Sequence, residues 1–206
     1  MKKLTLKERF TQLLSLYSQD NELISSLWNE LEKHYNEKHR TYHNLKHLEE
    51  IFSYFDNYKD ELKDSNLVSF SIFYHDVIYN IWKKDNEERS ADFAVERLQK
   101  LLSKDDSNII FDQIMATKTH EGSDNDTRFL IDFDLAILGQ SSEIYQQYTK
   151  LIRKEYKLVP DILYKNGRKK VLRHFIDKPF IYKTNTFIDR YEKQAKFNLK
   201  TELETI

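Results

Sequence analysis

Apolar residues recur every three or four positions along most of this chain, which is the spacing of one face of an α-helix. The break at residues 18–21 separates two such stretches, and Asp20 or Asn21 could cap the second. A third stripe begins after a polar segment at 36–45. The apolar positions of these three stripes are Leu13, Leu14 and Tyr17, then Leu23, Ile24, Leu27, Trp28, Leu31 and Tyr35, then Leu48, Ile51, Phe52 and Phe55.

The second half of the chain continues the helical pattern. Predicted helices cover about 87–103, 107–120, 125–138, 141–157, 160–176 and 185–203. Asp124 is a candidate N-cap, and Gly139 stands where a glycine often ends a helix. With only three glycines and two prolines, the chain lacks the frequent turn residues that β-rich folds require. The sequence therefore predicts an all-α fold.

Length and charge limit the classes of function. A chain of 206 residues suits one domain with a sizeable core. Lys and Arg number 33 against 34 Asp and Glu, so the net charge of -1 gives no reason to expect long nucleic acid as a partner. The absence of cysteine excludes disulfides and thiolate metal ligands. Residues 1–10 have no apolar signal core, and no stretch approaches the roughly 18 apolar residues of a membrane span. We expect a cytoplasmic protein with no membrane partner.

The pair His75 and Asp76 is the most informative polar feature, because it lies in the apolar stretch 70–79 that should form a buried helix. A buried carboxylate costs several kcal/mol unless it is paired, hydrogen-bonded or bound to a metal. A core histidine bonded to Asp76 or to a backbone carbonyl explains an isolated pair equally well. Companions at His43, His47, His120 and Asp134 favour a metal site instead.

His43 and His47 are four residues apart and would share one face of a helix. Both reach one metal only if residue 43 is already helical. If the helix begins near Asn44, His47 is the better ligand and His43 contacts the substrate or a ligand. A solvated helix start is the alternative for His43 and, less readily, for His47, because Leu48 and Ile51 place His47 near the apolar face. His120 ends a predicted helix, where a histidine can serve only the helix dipole.

Asp132 and Asp134 lie in a very apolar segment, so one of them should face inward. Residues two apart on a helix point in different directions, and at most one can be a primary ligand. Imidazole and carboxylate ligands suit Mn, Fe, Co, Ni or Zn and, with fewer nitrogens, Mg. Two histidines and two carboxylates would leave positions for water and a phosphoryl oxygen, the arrangement needed for attack on phosphorus.

His47, His75, Asp76 and Asp134 together resemble the H...HD...D signature of the HD superfamily of metal-dependent phosphohydrolases. The chain is similar almost end to end to the small bacterial branch of predicted phosphohydrolases within that superfamily. The matching stretches are 40–47, 73–79, 85–91, 116–120, 132–139 and 164–168.

The resemblance implies a single helical domain of the HD type over residues 1–206, with a metal-site core at about 40–140 and a helical C-terminal part at about 141–203. It implies that His47, His75, Asp76 and Asp134 bind the metal, with Asp134 preferred over Asp132 because the last aspartate of the family directly precedes a leucine. HD oxygenases with two iron ions carry two histidines between the HD pair and the last aspartate. Here only His120 lies there, which favours a single metal.

Residues around the metal are predicted from their charge. Arg40, Lys118 and Arg168 could hold phosphate oxygens together with His43, although residues 165–170 could equally form a solvated surface turn. Asp76, His120 and Glu88 are the candidate catalytic residues. Glu87 and Glu88 are both candidates for the general base.

The predicted function is hydrolysis of a nucleotide or another small phosphoester by metal-activated water. A ligand-binding or regulatory protein that retains the HD scaffold with little turnover is the main alternative. An oxygenase is a third. The sequence does not distinguish the phosphohydrolase from the regulatory protein, because both would keep the same metal-ligand residues. It also leaves open whether the protein forms a homo-oligomer.

Overall fold

The computed structural model describes residues 4–206; residues 1–3, part of the charged N-terminal segment, lie outside the described residues. Within that range the chain forms ten α-helices and no strand, which confirms the all-α prediction. None of these helices has the length and apolar character needed to cross a membrane. The helices are α1 Leu6–Ser15, α2 Asn21–Tyr35, α3 Leu45–Tyr58, α4 Ser65–Tyr74, α5 Asn86–Leu98, α6 Lys104–Thr119, α7 Asn125–Leu135, α8 Ser142–Glu155, α9 Asp161–Asp177 and α10 Asn185–Thr205.

Side-chain caps set most helix starts. Asp20 and Asp124 accept hydrogen bonds from backbone N–H groups at the starts of α2 and α7, as the sequence predicts. Ser103 accepts from Asp106 N and begins α6. Because of this cap, α6 begins at Lys104, before the predicted start near 107. The preceding helix α5 ends at Leu98, before the predicted end near 103.

The helix α4 is the centre of the fold. Every residue from Leu67 to Tyr74 is buried, and the helix packs against α1, α3, α5, α6 and α7. A helix that is apolar on all sides is stable in water only when neighbouring helices cover every side of it. The residues that follow its last turn are therefore held inside the molecule.

The prediction that residues 70–79 form one helix is wrong, because α4 ends at Tyr74. Arg40 donates to the carbonyl oxygens of Asp76 at 2.5 Å and Val77 at 2.8 Å. The Ser90 hydroxyl accepts from Ile78 N and donates to Ile78 O. These side chains satisfy backbone groups that a continued helix would have paired. His75 and Asp76 thus lie at the end of the central helix.

Gly139 allows α10 to pack closely against a short 3-10 helix, Ala136–Gly139, which connects α7 to the last three helices. A Cβ at this position would lie 2.6 Å from Tyr191 Cβ and 2.8 Å from Tyr191 O. No described glycine has a positive φ; His120 alone adopts the left-handed conformation. The expected role of Gly139 as a helix-ending glycine is therefore replaced by a packing role.

We expect Gly139→Ala to lower the free energy of unfolding by about 1–3 kcal/mol, the usual cost of overpacking a core. Urea denaturation measures the change. Gly167→Ala is the control, because nothing lies within 4 Å of a Cβ built there, in the middle of α9. It should be neutral or stabilise by up to about 1 kcal/mol through helix propensity. Equal effects of the two substitutions would contradict the packing role.

Candidate metal centre

Three helices bring His47, His75 and Asp134 to one place. His47 lies in the first turn of α3, His75 directly follows α4, and Asp134 lies in the last turn of α7. Their candidate ligand atoms all lie within 4.8 Å of one another. Asp134 Oδ1 is 3.1 Å from His47 Nε2 and 3.7 Å from His75 Nε2. This cluster could hold a metal ion.

Asp76 adds a second carboxylate to the cluster. Its Oδ2 lies 3.3 Å from His75 Nε2 and 3.9 Å from His47 Nε2. Each of the two carboxylates is therefore within 4 Å of both imidazoles. The two histidines are buried and the two aspartates are partly buried. The structure thus brings together all four residues that the sequence selects as ligands.

The hydrogen bonding of His75 tests whether a cation fits. His75 Nδ1 lies 2.8 Å from the Ile72 carbonyl oxygen, which can only accept, so Nδ1 carries a proton. Its Nε2 is buried without a hydrogen-bond partner and faces the carboxylates of Asp76 and Asp134. A lone pair pointing at two carboxylates needs a positive charge between them. Either a second proton or a metal cation supplies it, and the donor set suits a metal.

The close approach of the two imidazoles and the two carboxylates also controls which of these groups are ionised when no metal is bound. Burial opposes the charged form of His75, but Asp76 and Asp134 raise its pKa above the usual value. Burial also opposes the charged form of Asp134, while His47 and His75 lower its pKa. In the absence of metal, a second proton on His75 balances the carboxylates. Binding of a cation would displace protons from this site.

Asp132 faces away from this cluster. Its carboxylate accepts from the backbone N–H groups of Lys183 at 2.7 Å and Thr184 at 2.8 Å, and from the Thr184 hydroxyl at 2.7 Å. Burial raises the pKa of Asp132 to about 6. Asp132 therefore anchors the segment before α10, and only Asp134 of the two points toward the histidines.

His43 lies just before α3, because Asn44 caps the helix and Leu45 begins it. The side chain is outside the ligand cluster and borders a cavity next to Asp134. Its Nδ1 is 2.8 Å from Glu155 Oε2, and its ring stacks on Tyr79 with 4.4 Å between centroids. The helix start near Asn44 makes His43 a neighbour of the site and not a ligand.

Glu155, at the end of α8, is the main residue that the sequence analysis missed. It is buried, and hydrogen bonds from His43 and from backbone N–H groups lower its pKa to about 2 against the opposing effect of burial. A signal was present in the sequence. Tyr145, Tyr148, Ile152 and Glu155 follow helical spacing, so the glutamate lies on the face of α8 that carries the apolar residues.

The cavity next to Asp134 has a volume of about 210 Å³. Its polar lining includes His43, His120 and Arg168, and its apolar wall includes Leu135, Val171, Leu172, Phe175 and Leu199. Lys118 does not line it and is exposed near the end of α6. The cavity therefore joins a polar end at the ligand cluster to an apolar wall from α9 and α10.

His120 ends α6 in the left-handed conformation, with φ of 54°. Its ring packs against Phe175 at 5.0 Å between centroids. Burial lowers the pKa of His120 to about 4 in spite of Asp134, which acts in the opposite direction. The neutral form of the imidazole is therefore favoured at pH 7, which argues against a charged partner for the helix dipole.

Arg168 is buried inside a continuous α9, so the surface-turn alternative for residues 165–170 is wrong. Its guanidinium binds Glu202 through two hydrogen bonds of 2.7 and 2.8 Å. It also donates to the hydroxyl groups of Tyr145 and Tyr148. Arg168 thus borders the cavity, but most of its donors are already used.

Arg40 is predicted to hold phosphate oxygens, but its donors are used by groups of the protein itself. Its side chain is 0% exposed and donates to Glu37 and to the carbonyl oxygens of His43, Asp76 and Val77. The residue supports the backbone behind Asp76, away from the cavity.

Glu88 is exposed in the first turn of α5, whereas Glu87 is half-buried. Burial raises the pKa of Glu87, and the negative charge of Asp76 raises it further, while the positive charge of Lys118 lowers it. The charge of Asp76 thus acts on the half-buried Glu87, whereas Glu88 is exposed. Of the two candidates for the general base, the structure favours Glu87 over Glu88.

Comparisons of the chain with models of protein families, with curated proteins and with solved structures found no match.

Proposed function

We propose that this protein is a metal-dependent phosphohydrolase of the HD type that acts on a nucleotide or another small phosphoester. The observation that carries the proposal is the convergence of two histidines and two aspartates, of which Asp134 also lines a cavity. The resemblance of the chain to the HD signature supports the same assignment.

His47, His75, Asp76 and Asp134 would hold one divalent cation: Mn, Mg, Co, Ni, Fe or Zn. Such an ion supplies a water of lowered pKa and offsets the charge that develops on phosphorus. Glu87 would be the general base, since burial and the charge of Asp76 raise its pKa and so favour a carboxylate that takes up a proton. His120 is neutral and can donate or accept one hydrogen bond.

The cavity favours a substrate with an organic group attached to the phosphate. Leu135, Leu172 and Phe175 offer an apolar wall next to the polar end of the cavity. Phosphate oxygens there would meet His43 and His120, while the organic part would contact the wall. A nucleoside base has the size and the flat apolar faces that suit such a wall.

The test is metal analysis of the purified protein, followed by a screen of nucleotides and small phosphoesters with Mn, Co, Ni and Mg. We expect phosphate release with at least one of these substrates. Saturable nucleotide binding without phosphate release would instead favour the regulatory alternative. A metal-free protein that binds no added divalent ion would contradict the proposal.

Asp76→Ala should abolish metal binding and hydrolysis while the helical far-ultraviolet signal persists. The substitution deletes a ligand but also removes a partly buried charge, so the apo fold should tolerate it. Calorimetric titration of the variant with Mn or Co measures the loss. Full metal occupancy in the variant would show that Asp76 has a structural role only.

A further inference from the structure

Glu155 uses both carboxylate oxygens to organise the segment around His43. Its Oε1 accepts from three successive backbone N–H groups, those of Thr41 at 2.9 Å, Tyr42 at 2.7 Å and His43 at 2.9 Å. Its Oε2 accepts from His43 Nδ1 at 2.8 Å and from the Tyr79 hydroxyl at 3.0 Å. One side chain of α8 thus fixes both the backbone and the ring of His43.

The position of Glu155 is unfavourable for a carboxylate that serves the fold alone. It is buried, and it ends a helix, where the helix dipole disfavours negative charge. Apolar residues can replace many buried charges without loss of stability. The full set of five hydrogen bonds compensates the charge, and two of these bonds act directly on His43.

Hydrogen bonding also decides which nitrogen of His43 carries the proton. An ionised carboxylate can only accept, so Nδ1 of His43 must be the donor. The ring cannot turn over freely, because it stacks on Tyr79, whose hydroxyl binds the same oxygen of Glu155. The opposite nitrogen, Nε2, is left for the cavity that His43 borders next to Asp134.

We propose that Glu155 is a positioning residue that holds His43 with a proton on Nδ1 and presents Nε2 to the cavity as a hydrogen-bond acceptor. Burial opposes the charged form of His43, but Glu155, Asp76 and Asp134 raise its pKa in the metal-free site. In the neutral ring, Nε2 would accept a hydrogen bond from the water or hydroxyl group that reacts beside Asp134. The catalytic consequence rests on the proposed phosphohydrolase function, whereas the orientation of the ring does not.

Glu155→Gln tests this role with almost no change in shape. The amide oxygen can still accept from the backbone N–H groups, but the amide nitrogen donates and cannot accept from His43 Nδ1. We expect the proton of a neutral His43 to move to Nε2. Two-bond 1H–15N spectra of the imidazoles, recorded on the apo and the metal-loaded protein and assigned with His43→Gln, detect that change directly.

With the best phosphoester found, turnover of Glu155→Gln should fall about 10–100-fold, the range seen when the partner of a metal-site residue is lost. The KM should change less than threefold, and the double variant His43→Gln with Glu155→Gln should lose no more than His43→Gln alone. Glu192→Gln is the matched control. That carboxylate also accepts from backbone N–H groups, those of Ile181 and Tyr182, but far along the chain from His43. It should leave the His43 spectrum and turnover unchanged.

An unchanged His43 spectrum in Glu155→Gln would overturn the proposal, and so would a changed spectrum with parental turnover. If Glu155→Gln does not fold, Glu155→Asp keeps the acceptor but shortens its reach. That variant should show a mixture of the two neutral forms of His43, and a purely parental spectrum and turnover would contradict the role. If the parent hydrolyses nothing, the proposed function fails, while the spectra still decide the orientation of His43.

Discussion

Asp134→Ala should reduce affinity for divalent metal more than about 100-fold while the protein stays folded. Asp134 Oδ1 lies within 4 Å of both imidazole Nε2 atoms, and Asp76, the other carboxylate at that distance, is itself a candidate ligand, so the variant keeps only one of the two carboxylates. Removal of the carboxylate also relieves repulsion with Asp76, which favours retention of the apo fold. Titration calorimetry with Mn or Co measures the affinity, and circular dichroism measures the fold.

Asp132→Ala provides the matched comparison on the same helix. This substitution leaves the N–H groups of Lys183 and Thr184 and the Thr184 hydroxyl without their acceptor. Loss of acceptors for partly buried donors costs about 1–3 kcal/mol of stability. Metal affinity of the folded variant should remain that of the parent. The opposite pattern, with metal lost in Asp132→Ala and kept in Asp134→Ala, would refute the assignment of the ligands.

Arg168→Ala should lower the free energy of unfolding by about 3–5 kcal/mol, because it leaves Glu202 partly buried without its cation. For a chain of this size the melting temperature should fall by roughly 10 °C. The sequence alone predicts that Arg168 holds phosphate oxygens, and loss of such a contact would mainly raise the KM. The ion pair with Glu202 makes stability the first quantity to measure, and kinetics should be compared well below the lowered melting temperature.

The double variant Arg168→Met with Glu202→Met separates the two roles of Arg168. It removes both charges and keeps apolar volume, so it should recover much of the stability lost in Arg168→Ala. If the KM of the double variant matches that of the parent, Arg168 has no contact with substrate. A double variant no more stable than Arg168→Ala would show that the ion pair is not the source of the effect.

Local signals in the sequence predict most of the helices, and the resemblance to the HD signature implies the four candidate ligands. Asp20 and Asp124 cap helices through groups two or three residues away, and such short-range patterns are visible in the sequence. The end of α4 is different, because Arg40 and Ser90 terminate it from segments distant along the chain. No pattern within residues 70–79 predicts that stop.

The residues around the ligands show the same limit. Charge suggests that Arg40 and Arg168 bind phosphate, but their partners Glu37, Glu202 and several carbonyl groups become known only from the fold. Glu155 has no motif, and its contacts are formed with residues more than 70 positions earlier. Sequence spacing identifies groups that share a helix face, whereas long-range partners decide whether a charged group is available for a ligand.

The candidate ligands come from three segments that are far apart in sequence, at positions 47, 75 and 76, and 134. An unfolded chain cannot bring these groups together, so a metal ion would bind the native state almost exclusively. The free energy of binding is then added to the free energy of folding, about 2.7 kcal/mol when the free ion is at 100 times its dissociation constant. The supply of metal in the cell would therefore govern how long each molecule survives, as well as whether it can act.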